Sequence, residues 1–489
     1  MANPFKNPHR GLLLESVLLV VTFLPVQILA ADSPIPVGSR LELFVDRHLV
    51  DRMEGVEFRT HPPQMLPLPK SPLIGGYATV IKDGDLYRGY YRDTDPSYTG
   101  PQYSGHPGEI TCYAESRDGH EWTFPSLGLF DVNGSRENNV VLARQPPFSH
   151  NFSPFLDTRP GVVPDERFKA LAGHPGKDRK AGADGLHAFA SADGVVWRPL
   201  GQGPVIPYDK AWSHAFDSQN VAFWSAAEQR YVCYFRTWET PHGRLRTVSR
   251  STSADFLTWD KPVPMHPNLP GEHLYTSQTH PYFRAPHIYI ALPTRYVAGR
   301  VGGEKTDPML GSTDIVFMAT RAGATSYERL FPEAYIRPGL DPDRWGSRSN
   351  YVALNVVPTG DAEMSIYHAK SGHRYVLRTD GFVSVAAGIK QGELVTKPLV
   401  FEGNRLVVNY STSAAGSLAV EIQTPDGTSI PGFSLADCNV VVGDTVAGCI
   451  SWRGNPDLEA WAGKPVRLRL VMTECDVYSF KFEPKPITE

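Results

Sequence analysis

Residues 214–238 read HAFDSQNVAFWSAAEQRYVCYFRTW, and the alternation inside this stretch decides the fold. Asp217, Ser218, Gln219 and Asn220 lead into an apolar run at 221–224. A polar turn follows, and a second run at 231–235 ends on Arg236 and Trp238. Two short runs rich in β-branched and aromatic residues around a polar turn predict an antiparallel hairpin. The start of its first strand and the end of its second lie side by side, so polar residues gather at one edge while the body is core.

The same unit recurs along the chain. The pattern Y-x-x-Y-[YF]-R holds at 87–92 and 231–236, with looser copies in FKALAGH (168–174), YIALPTR (289–295) and MSIYHAK (364–370). Each copy follows another apolar run. A turn pattern recurs after the copies: Ser116-x-Asp118-Gly119 before Trp122, Ser191-x-Asp193-Gly194 before Trp197, Ser253-x-Asp255 before Trp259, and a degenerate form from Thr320 to Tyr327. An Asp-Gly turn of this kind joins the outer strands of a four-stranded sheet. Repeats of that size, all β, predict a five-bladed β-propeller. From residue 393 the pattern changes to alternating strands such as LVFEGNRLVVNY and PVRLRLVM, which predict a C-terminal β-sandwich of jelly-roll type. The expected organisation is all-β: a signal peptide at 1–31, the propeller over 32–392 and the sandwich over 393–489.

Composition narrows the class further. The 43 Gly and 43 Pro among 489 residues favour many turns and short strands over long helices. A formal net charge of -4 without basic runs gives no footprint for nucleic acid. Lys6 and Arg10 precede an apolar run at 16–29 that ends in Ala30 and Ala31, the form of a secretory signal. The mature chain is therefore expected to be secreted or periplasmic and free of membrane. Five scattered cysteines make no disulfide framework, although Cys438 and Cys449 could pair across a hairpin. No C-x-x-C, H-x-x-x-H or H-E-x-x-H spacing occurs, so no metal or other cofactor is expected.

In a propeller, innermost-strand starts, second-strand ends and third-strand starts converge on one mouth. Those points supply Asp217, Gln219, Glu272 and His280 from first strands, and Arg92, Arg236, Trp238 and Arg295 from second strands. Third strands supply Glu109, Asp184 and His187. Several carboxylates around one funnel suit glycoside hydrolysis, which needs a proton donor and a second carboxylate that activates water or attacks carbon. Asp217 and Glu272 are the expected catalytic pair, with Glu109 in reserve and Asp46 as a possible third acid. Arg92, Arg236 and Arg295 occupy matching places, and their forks suit an anionic sugar or, equally, structural ion pairs. Gln219, His280 and Trp238 complete the expected substrate contacts, with Tyr77 and Trp212 as further stacking candidates.

The stretches LELFVDRHLVD (41–51), ITCYAESRDG (110–119), AFDSQNVAFW (215–224), EHLYTSQTHPYFRAPHIYIALPTRY (272–296), IRPGLDPDRW (336–345) and NYSTSAAGS (409–417) carry a resemblance. With them the chain resembles bacterial secreted proteins described as glycosyl-hydrolase-like, within the invertase, levanase and arabinanase-like superfamily. The resemblance implies a five-bladed propeller with a C-terminal sandwich and cleavage of glycosidic bonds outside the cell. The better-known members' W-x-N-D-P-N-G motif is missing from the first blade and R-D-P from the middle, and no E-C stands in the acid position, so their retaining mechanism does not transfer. The expected function is a secreted glycoside hydrolase acting on a poly- or oligosaccharide. Two other readings stay open: a polysaccharide lyase using arginines against a uronate, and a non-catalytic glycan-binding propeller.

Overall fold

The strands dictated by the tyrosine–arginine repeat are present in the computed structural model, which describes residues 33–174, 184–212, 214–300 and 311–484. The expected signal peptide at 1–31 lies outside these residues. Among the described residues there is no α-helix, and five 3₁₀ turns are the helical content.

Five antiparallel meanders follow one another in sequence. The first is Gly76–Asp83, Leu86–Thr94, Glu109–Ser116 and Val140–Leu142. The second is Ser153–Leu156, Phe168–Ala172, Gly185–Ser191 and Arg198–Leu200. Next come Val221–Ser225, Arg230–Thr240, Gly243–Ser253 and Val263–Pro264. The fourth is split into two pieces. His273–Leu274, Thr294–Ala298, Gly311–Val316 and Ala334–Ile336 form one, and His280–Tyr282, Ala285–Ala291 and Met318–Arg321 the other. In the fifth, Val357–Pro358, Glu363–His368 and His373–Arg378 take their outer strand, Gln64–Met65, from the other end of the chain. Each copy of the repeat is thus the second strand of a sheet.

The repeated tyrosines fasten neighbouring sheets. Tyr90 Oη donates to Gly194 O (2.9 Å), and Tyr231 Oη donates to Asp157 Oδ2 (2.6 Å). Tyr289 Oη donates to Glu228 Oε1 (2.7 Å). Tyr367 Oη of the fifth sheet donates to Gly119 O of the first (2.8 Å), so the last meander abuts the first. Along the inner strands Gln219 Nε2 donates to Thr79 Oγ1 (2.8 Å) and Gln278 Nε2 donates to Gln219 Oε1 (2.8 Å).

The Ser-x-Asp turns share one hydrogen-bond plan. Ser116 Oγ accepts from Gly119 N (2.9 Å), while Asp118 Oδ1 accepts from the two amides that follow. Ser191 with Asp193 and Ser253 with Asp255 repeat the plan. In the third turn Phe256 replaces glycine at φ 70°, a left-handed conformation that disfavours side chains by about 1–2 kcal/mol. Its ring is fully buried against Phe155, Tyr231 and Trp259. Deleting a buried phenylalanine side chain costs about 3–5 kcal/mol, so packing wins over strain. Phe256→Gly is therefore expected to destabilise by about 2–3 kcal/mol, read as a lowered urea midpoint at unchanged slope.

Both chain ends feed one further sheet. Val50–Glu54 pairs with Gly392–Thr396, and Val56–Thr60 pairs with Val383–Ala387. The long strands Arg405–Gln423 and Arg467–Glu483 pair along their length, with irregularities at 409–410 and 412–417. Their inner faces bury Leu406, Val420, Leu470, Phe482 and Trp452. Ile35–Gly38 lies parallel to Leu399–Phe401. From Pro34 onward the chain forms one compact unit. The five cysteines are free thiols, Cys449 exposed and the others buried, so Cys438 and Cys449 are not bridged.

Candidate active site

The start of Val221–Ser225 is held in a strained turn. Phe216 sits at φ 66°, and its carbonyl accepts from Asn151 Nδ2 (2.7 Å), Asn220 Nδ2 (3.0 Å) and Ser218 N (2.6 Å). Left-handed backbone at a non-glycine residue persists only where its surroundings over-determine it, and such strain gathers at functional sites. Here it fixes Asp217. Tyr77, at the corresponding point of the first sheet, is likewise left-handed (φ 46°).

Asp217 is gripped from three sides. Its Oδ2 lies 2.7 Å from Arg236 Nη2, and its Oδ1 lies 3.2 Å from His150 Nε2 and 3.7 Å from His174 Nε2. The other nitrogen of the same imidazole, His150 Nδ1, lies 2.9 Å from Glu109 Oε1. Gly105 N donates to Glu109 Oε2 (3.1 Å), and Arg92 Nη1 donates to His150 O (3.0 Å). One imidazole therefore bridges two carboxylates. The Asp217 side chain is 36% exposed against 8% for Glu109 and 5% for His150, so Asp217 is the member that meets solvent.

Electrostatics fix the protonation states. Burial pushes the Asp217 carboxyl up, but the Arg236 charge, the His150 hydrogen bond and His174 outweigh it and hold it far below the usual carboxylate range. It is ionised at any working pH. Burial, with His150 and Arg236, pushes His174 down to about 4 against the pull of Asp217, so its ring is neutral at pH 7. Burial and the Asp217 charge raise Tyr77, which stays a proton donor.

Rings surround this cluster in edge-on or tilted contact. His174, His150, Tyr77, Tyr351, Tyr275 and Tyr296 follow one another at centroid distances of 5.3, 5.9, 5.8, 5.8 and 5.7 Å. His273, Trp238 and His214 continue the belt from Tyr296 at 5.6, 5.9 and 5.5 Å. All five meanders or their entry loops contribute. The site is a belt of rings around the half-exposed, ionised Asp217 carboxylate.

The structure sorts the expected residues. Asp217, Glu109, Arg92, Arg236 and Trp238 come together. Glu272 does not join them: it is buried, with Arg329 Nη1 and Nη2 donating to its two oxygens (2.6 and 3.1 Å) and Leu269 N donating to Oε2 (3.0 Å). Arg295 forks onto Asp314 (2.8 and 2.7 Å) and borders a surface cleft of about 1070 Å³ with Arg337 and Trp345. Gln219 and His280 are core residues. His280 lies 2.9 Å from Gln278 O through Nδ1 and accepts from Val356 N through Nε2 (3.0 Å). Asp46 is forked by Arg321 (2.6 and 3.0 Å). Trp212 packs on Phe216 and Phe235. Glu272→Gln is accordingly expected to leave Arg329 buried beside a neutral partner and cost about 3 kcal/mol of stability, seen as a lower thermal midpoint.

Tyr275, Tyr351 and Arg246 join the site without having been singled out in the sequence. Arg246 had a signal: it stands nine residues before Asp255, as Glu109 and Asp184 stand before Asp118 and Asp193. Arg295 had a warning. It lies six residues after Tyr289, whereas Arg92 and Arg236 lie five after Tyr87 and Tyr231. One extra residue turns a strand side chain to the opposite face, and here Tyr296 faces the belt in its place.

No protein-family model matches the chain, and no curated protein matches it. Solved structures to which it is similar include glycoside hydrolases. A family 43 arabinoxylan arabinofuranohydrolase from Bacillus subtilis is 13% identical, with 84% of this chain and 96% of that one covered at a TM-score of 0.38. The Bombyx mori family 32 β-fructofuranosidase is 9% identical over 87% and 96%, at 0.37. An N-acetylgalactosamine deacetylase from F. plautii, in complex with blood group B trisaccharide, is 11% identical over 85% and 95%, at 0.39.

Proposed function

We propose that the chain is an exported glycoside hydrolase, secreted or periplasmic, that cleaves an extracellular poly- or oligosaccharide. In this reading the five meanders are the blades of a propeller and the sheet that follows is a C-terminal β-sandwich. One observation carries it: an ionised, solvent-facing carboxylate, Asp217, fixed by Arg236 and His150 inside a belt of aromatic rings. Aromatic faces stack on sugar rings, and a fixed carboxylate can draw a proton from water or attack the anomeric carbon.

In this reading the leaving oxygen takes its proton from the His150–Glu109 pair, whose Nδ1 to Oε1 distance is 2.9 Å and whose Nε2 lies 3.2 Å from Asp217 Oδ1. As the glycosidic C–O bond breaks, that oxygen takes the proton and the carbon takes hydroxide from the water Asp217 deprotonates. Glu272, held by Arg329, belongs to the scaffold. A second reading, β-elimination on a uronate, draws on the neutral His174 ring 3.7 Å from Asp217 and on the arginines of the mouth. A screen of purified protein against neutral, uronic and sulfated glycans separates the readings. Hydrolysis yields saturated reducing ends, and elimination yields an ultraviolet-absorbing unsaturated product. Binding without turnover of any glycan would establish the non-catalytic alternative.

A further inference from the structure

Buried Arg344 is held by Asn350 Oδ1 and Tyr375 Oη. Other buried and half-buried arginines sit opposite carboxylates of their own: Arg250 pairs with Glu228, Arg295 with Asp314, Arg321 with Asp46 and Glu42, and Arg329 with Glu272. In each case the charge is matched where water is excluded, as burial of an ion requires. The mouth departs from this rule.

Arg236 is 3% exposed, and Nε, Nη1 and Nη2 lack a hydrogen bond of good geometry, although Nη2 is 2.7 Å from Asp217. Its guanidinium lies 5.8 Å from the Tyr275 ring. Arg246 stands over the other side of the same neighbourhood, 4.4 Å from the Tyr275 centroid and 4.5 Å from that of Trp238. Its Nε is buried without a partner, and its Nη1 reaches only His273 Nδ1, at 3.5 Å. Among the described residues no carboxylate pairs with Arg246. Burial lowers its pKa, and Arg236 lowers it further against the opposing pull of Tyr275 and Asp217, the opposite of the carboxylate-paired Arg250, Arg295 and Arg321. Arg348 faces Tyr275 and Tyr351 and adds to the positive field. Of the two guanidinium groups beside Tyr275, only that of Arg236 has a carboxylate, and that carboxylate is the one assigned to chemistry.

We infer that Arg236 and Arg246 form a subsite for a negatively charged sugar substituent, a uronate carboxylate or a sulfate ester, on the substrate of the glycan-processing mouth described above. The guanidinium of half-buried Arg246 is a planar fork of the kind that carboxylate and sulfate oxygens match. Half-buried Trp238 flanks it, so a pyranose can stack there while its charged group is held. The low dielectric of the belt strengthens the pair and shields it from salt.

The test is binding by calorimetry on the full chain carrying Asp217→Asn, so that probes are not consumed. The probes are an oligogalacturonate, a sulfated galacto-oligosaccharide and a neutral galacto-oligosaccharide of equal length. Adding Arg246→Gln is expected to weaken one or both charged probes by roughly ten- to hundredfold and to leave the neutral probe within twofold. Loss in the uronate arm identifies a carboxylate, and loss in the sulfate arm a sulfate ester. Arg246→Lys keeps the charge without the fork and is expected to fall between, which guards against a misfolded glutamine variant. Equal binding of neutral and charged probes, unchanged by either substitution, overturns the anionic subsite and leaves the glycan site standing. No binding of any probe by the folded chain overturns both.

Discussion

Asp217→Asn is expected to lower kcat by about 10²–10⁴-fold on whichever glycan is turned over, with the fold retained. The asparagine oxygen can still accept from His150 Nε2, and the side chain stands 36% exposed, so water takes up part of the charge that Arg236 loses. The charge needed for chemistry is gone, because an amide neither deprotonates water nor attacks carbon. The acid limb separates this role from a structural one. Asp217 is held far below the usual carboxylate range by Arg236, His150 and His174, against the upward push of burial. Acidification therefore reaches His174 before Asp217, at about 4. The wild-type kcat/KM profile should stay level from neutral pH down to the region of pH 4. Full turnover by the asparagine variant, with Glu272→Gln as a stability control, would remove Asp217 from the mechanism.

The parts of this architecture legible in the sequence are those written in local patterns. Tyr90, Tyr231 and Tyr367 repeat because each pins a neighbouring sheet, and Ser116, Ser191 and Ser253 repeat because each caps the same turn. Asp217 was legible as part of the polar start of a short apolar strand. Glu272 misled because a carboxylate near a strand start looks the same whether it faces a mouth or an arginine, and Arg329 is distant in sequence. Gln219 and His280 misled for a related reason. Inner strands lie close at the centre, where polar side chains tie backbone to backbone instead of meeting a ligand. The pairing of Val50–Glu54 and Val56–Thr60 with strands beyond residue 380 was not legible, since edge partners hundreds of residues apart leave no local trace.

The largest stability effect is expected at Arg321. Its guanidinium is shared by two carboxylates: Nη1 donates to Glu42 Oε2 (2.8 Å), and Nε and Nη2 donate to Asp46 (2.6 and 3.0 Å). Glu42 is fully buried, and its other oxygen lies 3.0 Å from His287 Nε2. Arg321 comes from the fourth meander, while Glu42 and Asp46 belong to the N-terminal segment whose Glu42–Leu43 strand pairs with Arg467–Glu483. The cluster therefore fastens the terminal sheet to the repeat. Arg321→Met keeps most of the volume but leaves two buried carboxylates without their cation, a loss of about 3–5 kcal/mol. The pH dependence gives the sign. Burial raises Glu42, but the His287 hydrogen bond and the Arg321 charge outweigh it and hold it at about 2. A depressed carboxyl contributes stability above its unfolded pKa, near 4.5, and loses it as pH falls from there toward 2. In the methionine variant burial acts unopposed by Arg321, so Glu42 takes up a proton more readily. The stability gap between wild type and Arg321→Met should be widest at neutral pH and narrow below about pH 4.5 in urea titrations. A gap that stays constant across that range would show that Arg321 acts through packing alone.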